Sequence, residues 1–230
     1  MRRVLREQSL SLVFLLLFLA SLAGQAIAGW HDYNNLETWH AQMAGETPET
    51  LSLARYVTSS SFAQAVTENW QSEYLQFTLF ILFTVWFIQK GSPESKQPGE
   101  AGGESDEQQL VGEHAKPGSP TWARVGGWRT ALYSNSLVLV MATIWLWSWF
   151  AQSVTGWSEN NADRLEHEQQ SLSWVGYLGS ADFWQTTLQN WQSEFLAVGS
   201  MAVLAIYLRQ RGSPESKPVG TPHDTTAATG

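Results

Sequence analysis

The chain has 230 residues, 43% of them hydrophobic, with thirteen tryptophans, no cysteine and a formal net charge of −8. The absent cysteines exclude disulfides, thiolate metal sites and cysteine nucleophiles, and the acidic balance argues against a general nucleic-acid partner.

Arg2, Arg3 and Arg6 precede an apolar run from Leu10 to Ala28. Basic residues, an apolar core and Ala26-Ile27-Ala28 fit a cleaved secretory signal, but the run is also long enough to be a first membrane span. A polar loop follows, beginning near Trp30. The next apolar stretch is expected as a second span over about 70–89, starting at Trp70 and taking Glu73 to the bilayer edge. Gly91 and Pro93 then read as a helix stop, with Gly91 as the C′ residue. Residues 97–128 are rich in Gly, Pro, Glu and Gln and read as a disordered linker and lead-in. A third span is expected over 137–154 and a second loop from Trp157. A fourth span covers 191–208, with Ser180 as a plausible N-cap upstream. Gly212 and Pro214 repeat the stop, and 218–230 form a disordered tail.

The second half of this series copies the first. Asn-Trp-Gln-Ser-Glu occurs at Asn69 and at Asn190, and Gly-Ser-Pro-Glu-Ser-Lys at Gly91 and at Gly212, both with an offset of 121 residues. Tyr56 pairs with Tyr177, Phe62 with Phe183 and Gln89 with Gln210 at that same offset. Upstream the offset is 127, pairing Gln25 with Gln152, Trp30 with Trp157 and His40 with His167. The loops therefore differ by six residues. The expected domains are a membrane repeat over 1–96, the linker over 97–128, a second repeat over 129–217 and the tail. Because the partner of the first apolar run lies in mid-chain, where no signal peptide acts, the first run is expected to remain as a span.

A spanning helix needs about 20 apolar residues; the first and third stretches supply them, while their partners, Leu75–Ile88 and Phe195–Leu208, are short and are expected to begin earlier, at Trp70 and Trp191. Placing both termini and the linker on one side collects eleven of the thirteen Lys and Arg residues, leaving Arg55 and Arg164 opposite. The positive-inside rule then makes both termini cytoplasmic and gives the two repeats one orientation. The fold class expected is an all-α integral membrane protein, multi-pass in a plasma (inner) membrane, its principal partner the lipid bilayer.

Six polar side chains are expected near the outer membrane edge: Gln25, Asn69, Glu73, Gln152, Asn190 and Glu194. Asn69 and Glu73 share a helix face by their spacing of four, as do Asn190 and Glu194. Ionisable groups facing lipid are costly, so these residues are expected to contact one another or water. They serve as polar glue between helices, as an ion, proton or small-solute site, or as a partner-binding surface. Trp70, Trp191, Trp30 and Trp157 are expected as interfacial anchors. His40 and His167 read as solvated loop residues. No nucleotide-binding loop, metalloprotease motif or nucleophile elbow is present, so no catalytic residue, metal site or cofactor is expected.

Asn190-Trp-Gln-Ser-Glu-Phe-Leu-Ala-Val, Leu208-Arg-Gln-Arg-Gly-Ser-Pro-Glu-Ser-Lys-Pro and Arg6-Glu-Gln-Ser-Leu-Ser-Leu resemble a family of uncharacterised bacterial four-span membrane proteins, a domain of unknown function. The resemblance covers nearly the whole chain and implies duplicated two-helix units. It carries over no catalytic residue. Where such proteins have a Gly-Gln-Pro-Pro-like stretch, this chain has Gly45-Glu-Thr-Pro and Gln169-Gln-Ser. Two functions stay open: a non-enzymatic scaffold or envelope-associated protein with an unidentified protein partner, or a small transporter or channel, assembled as a homo-oligomer or not, using Glu73 and Glu194.

Overall fold

Long apolar stretches without internal proline favour continuous helices, and the computed structural model is all-helical among its described residues. It describes the backbone of residues 2–228 and the side chains of residues 5–228. The helices are α1 (Arg2–Glu7), α2 (Ser9–Ala44), α3 (Leu53–Tyr56), α4 (Ser60–Trp86), α5 (Thr121–Arg124), α6 (Gly127–Ser134), α7 (Ser136–Glu166), α8 (Trp174–Leu178) and α9 (Ala181–Tyr207). A 3₁₀ turn spans Gly112–His114.

Two of them, α2 and α7, are long and apolar enough to cross a membrane. None of the most apolar stretch of α2 is buried, and little of that in α7 is. Leu10, Phe14, Leu16 and Leu17 all stand exposed along it. The helices α4 and α9 do not reach that measure, because Asn, Gln, Ser and Glu dilute their first halves.

Several boundaries differ from expectation. The first and third helices do not stop near 28 and 154 but run on to Ala44 and Glu166, so His40 lies on a helix and His167 directly follows one. Gly45, at φ +74°, closes α2 in the left-handed conformation that glycine adopts without penalty. At the other ends α4 and α9 stop at Trp86 and Tyr207, before Gly91 and Gly212. Those two glycines are therefore not C′ residues. They have positive φ, +88° and +81°, but spend it inside a separate turn. Ser180 does cap α9, its Oγ accepting the Phe183 N–H at 3.2 Å.

The chain divides into two compact units: residues up to Val66 with Val154–Leu172, and Thr67–Ser153 with the residues from Ser173 on. In the first unit, one small arrangement occurs twice. Trp30 donates its indole N–H to the Leu51 carbonyl at 2.6 Å. Asn34 donates to the same oxygen at 2.9 Å and accepts the Leu51 N–H at 2.7 Å. Trp157, Asn161 and Leu172 make the same three bonds at 2.7, 2.9 and 2.8 Å. Each set staples the chain returning from the loop after a long helix onto the side of that helix. Tyr56 is buried beside Gly29, where an added Cβ would overlap its hydroxyl.

Replacing Asn34 or Asn161 by alanine strands the N–H of one leucine, whose carbonyl keeps the tryptophan indole as its donor. Each is expected to cost about 1–3 kcal/mol, read as a lower Tm in detergent. Asn35→Ala, at an exposed position, should stay within about 0.5 kcal/mol.

The second unit is held by an aromatic cluster. Trp149 stacks on Trp145 and Phe183 at centroid distances of 6.1 Å, and meets Trp191 at 5.5 Å. Tyr177 and Phe183 are buried beneath it, 5.7 Å apart. Burial and the nearby Asp182 carboxylate raise the Tyr177 phenol above its ordinary value.

Candidate functional site

Helices α4 and α9 bring two copies of Asn-Trp-Gln-Ser-Glu into one region of the second unit. Trp191 gives its indole N–H to the Gln71 side-chain oxygen at 2.6 Å. Ser72 Oγ lies 3.5 Å from the Glu194 carboxylate and also donates to its own helix at the Asn69 carbonyl, 3.1 Å away. Gln71, Ser72, Ser148, Gln152 and Thr187 are all buried here.

The structure distributes the six expected residues unevenly. Glu194 is half-buried with Ser72 at its carboxylate, and Glu73 is exposed yet close enough to act on it electrostatically. Asn69 is exposed, contributing its main-chain carbonyl to Ser72. Asn190, half-buried, bonds back to the Thr186 carbonyl on its own helix at 3.0 Å. Gln152 is buried in the same unit, whereas Gln25 is half-buried in the first. Of the expected anchors, Trp191, Trp30 and Trp157 each place the indole N–H on a protein acceptor, and Trp70 is half-buried. Gln71 was not singled out by sequence, since its partner lies 120 residues away; only its place within a repeated motif could have pointed to it.

The second construction in this unit lies past the helix ends. Each Gly-Ser-Pro-Glu-Ser-Lys segment folds into the same turn. Ser95 Oγ accepts the Gln89 N–H at 2.9 Å and donates to the Lys96 carbonyl at 3.1 Å. Ser216 repeats both bonds with Gln210 and Lys217 at the same two distances. Past the helix ends the last carbonyls are taken by other groups: the Gly102 N–H donates to the Val85 carbonyl at 2.7 Å, and the Arg209 guanidinium to the Ala205 and Ile206 carbonyls at 3.3 and 3.0 Å. The lysines then diverge. Lys96 donates to the Gly102 carbonyl at 2.8 Å and pairs with Glu104 at 3.1 Å. Lys217 is buried and donates to four carbonyls: Gly91 at 2.7, His223 at 2.9, Thr225 at 3.1 and Pro222 at 3.2 Å.

The carboxy-terminal segment straps the two turns together. Thr226 Oγ1 accepts the Gly91 N–H at 2.9 Å, and Ala227 donates its N–H to the Ser92 carbonyl at 3.1 Å. Between the turns, Glu94 and Glu215 share a side-chain hydrogen bond over a cavity of ≈ 290 Å³ that is otherwise lined by Gln76, Phe77, Phe80, Ala197, Val198 and Met201. Burial, then the Glu215 carboxyl, push Glu94 up to about 7.

Among the described residues no group of three or more acidic or histidine side chains is arranged to hold a metal ion. His40 Nδ1 lies 3.8 Å from a Glu166 carboxylate oxygen.

No curated protein and no solved structure matches the chain. One family model does match, over residues 1–228, and its description is a domain of unknown function. By that match, which takes in both copies of Asn-Trp-Gln-Ser-Glu and both turns, the chain belongs to the DUF6766 family.

Proposed function

We propose that the protein is a non-enzymatic, four-span membrane scaffold built from two helix-pair repeats of one orientation, with both termini on the cytoplasmic side. The observation that carries this reading is the exposed apolar surface of α2 and α7, helices long enough to cross a bilayer. A soluble domain rarely leaves an apolar patch of that extent uncovered, and lipid would cover it. The 27 residues of α4 and of α9 give about 40 Å at 1.5 Å per residue, longer than a hydrocarbon core of about 30 Å. Their polar first halves then face partners in the bundle, as the Trp191–Gln71 bond illustrates. The matching staples and matching turns support descent from one helix-pair unit.

The topology is tested by single cysteines, which a cysteine-free chain makes unambiguous. In intact cells, cysteine at exposed Ser158 is expected to react with an impermeant thiol reagent and cysteine at exposed Ser105 to stay unreacted until lysis. The reverse pattern would sink the orientation, and release of the protein by carbonate wash would remove the membrane reading itself.

A second reading follows from Glu194, a half-buried carboxylate within a proposed span with Glu73 nearby: a small transporter or channel for protons, cations or small solutes. Reconstituted protein would then carry a pH-dependent flux that Glu73→Gln with Glu194→Gln abolishes. Liposomes showing no flux of protons, cations or small solutes would leave the scaffold.

A further inference from the structure

The duplicated turns do more than end two helices. They meet, and what they bring together is a pair of like-charged groups over an apolar cavity. Phe77 and Phe80 from α4, with Val198 and Met201 from α9, line the space against which Glu94 and Glu215 face each other. No titratable group comes from either helix at this lining: α4 offers Gln76 and the two phenylalanines, α9 offers Ala197, Val198 and Met201. The opposing turn contributes Glu215 alone. The lysine of each turn is engaged elsewhere, the Lys96 ammonium against Gly102 and Glu104 and that of Lys217 against four carbonyls. Two carboxylates so placed, Glu94 half-buried and Glu215 exposed, repel unless one proton lies between them.

We propose that the twin turns are a pH-operated clasp, held shut by a proton shared between Glu94 and Glu215 and loosened when the surrounding solution turns alkaline. The proposal does not depend on which side of a membrane the turns occupy, nor on the scaffold reading.

The sign follows from linkage. Glu94 is held near 7 in the closed clasp against an ordinary 4.5, so the closed form keeps its proton over a range where the open form has lost it. Closure is therefore fully favoured below about pH 4.5, weakens as pH rises, and levels off beyond about 7. Over that range the closed-to-open ratio should fall by about one to two orders of magnitude, the partial exposure of Glu94 holding it to the lower part of what the shift allows. The Lys217 bond to Gly91 and the Thr226–Ala227 strap tether the two turns through this change, so the clasp opens without the helices parting.

Spin labels on cysteines introduced at exposed Gln97 and Val219, in the full chain in nanodiscs, would read the separation of the turns by pulsed electron resonance between pH 4 and 9. The expected result is a narrow short-distance population at low pH that broadens with a midpoint between 5 and 7. Glu94→Gln with Glu215→Gln keeps a hydrogen-bonding pair of nearly the same size without charge, and should hold the narrow population at every pH. A wild-type distance that does not respond to pH would overturn the proposal. So would a response that survives in the double glutamine variant with an unchanged midpoint. Hydrogen exchange across residues 91–96 and 212–217, measured on the single variants Glu94→Gln and Glu215→Gln, covers the case in which the double variant assembles poorly: either single change should flatten the pH dependence of protection, and retention of the wild-type dependence in both counts against the clasp.

Discussion

Lys217→Met is expected to release the carboxy-terminal strap while leaving the helices in place. The side chain keeps its length but loses an ammonium that serves four carbonyls drawn from Gly91, Pro222, His223 and Thr225. Buried acceptors stranded in this way cost about 1–3 kcal/mol each, and with water filling part of the gap a local loss of about 3–5 kcal/mol is reasonable. Hydrogen exchange should show residues 221–228 losing protection by two orders of magnitude or more, and a protease should clip the tail. The equivalent Lys96→Met removes one carbonyl contact and a partly exposed ion pair with Glu104, worth about 1 kcal/mol or less. Equal effects from the two lysines would contradict the asymmetry that the turns display.

Trp191→Ala should be the most damaging single change in the second unit. The ring contacts Trp149 at 5.5 Å and Trp145 at 6.4 Å, and its N–H holds the otherwise buried Gln71. Truncating a packed tryptophan costs about 3–5 kcal/mol. Trp191→Phe keeps most of the ring contact and gives up the hydrogen bond, for about 0.6–1.7 kcal/mol by the measure of bonds between membrane helices. Thermal unfolding in detergent, followed by near-ultraviolet circular dichroism, separates the two. If the alanine variant melted with wild-type protein, the residue would be a peripheral anchor of the lipid interface after all.

Part of this fold is legible in the sequence, for reasons that lie in particular residues. The helical character and the Ser180 cap follow from proline-free runs and a serine before Ala181-Asp182, which are local signals. The two copies of Gly-Ser-Pro-Glu-Ser-Lys announce themselves as strings. What they build was hidden, because a helix end is set by whatever captures its last N–H and C=O groups. Here the partners lie outside the local string, the Gly102 N–H at the Val85 carbonyl and the Arg209 and His223 side chains at the Ile206 carbonyl, so a rule that reads glycine plus proline as a stop places the boundary late. The helical continuation from Gly29 to Ala44 was hidden for a different reason: its polar composition resembles a loop. The six polar residues expected at a membrane edge are legible only as residue types at matching positions of the two copies. Their wiring is not, since periodicity cannot tell which of Gln71 and Gln192 faces the partner helix.

The paired staples carry one more consequence. In the first, Asn34 and Leu51 are 17 residues apart, while in the second Asn161 and Leu172 are separated by 11. The whole six-residue discrepancy is thus confined to a segment whose two ends are pinned by the same bonds. Such a pinned loop is insulated: its length can vary without strain reaching the scaffold, because the closure entropy of a few added residues is below about 1 kcal/mol. An epitope tag or fluorescent reporter spliced between Gly45 and Thr50 should therefore be accommodated with unchanged expression, while the same insertion a few residues after Leu51 should not.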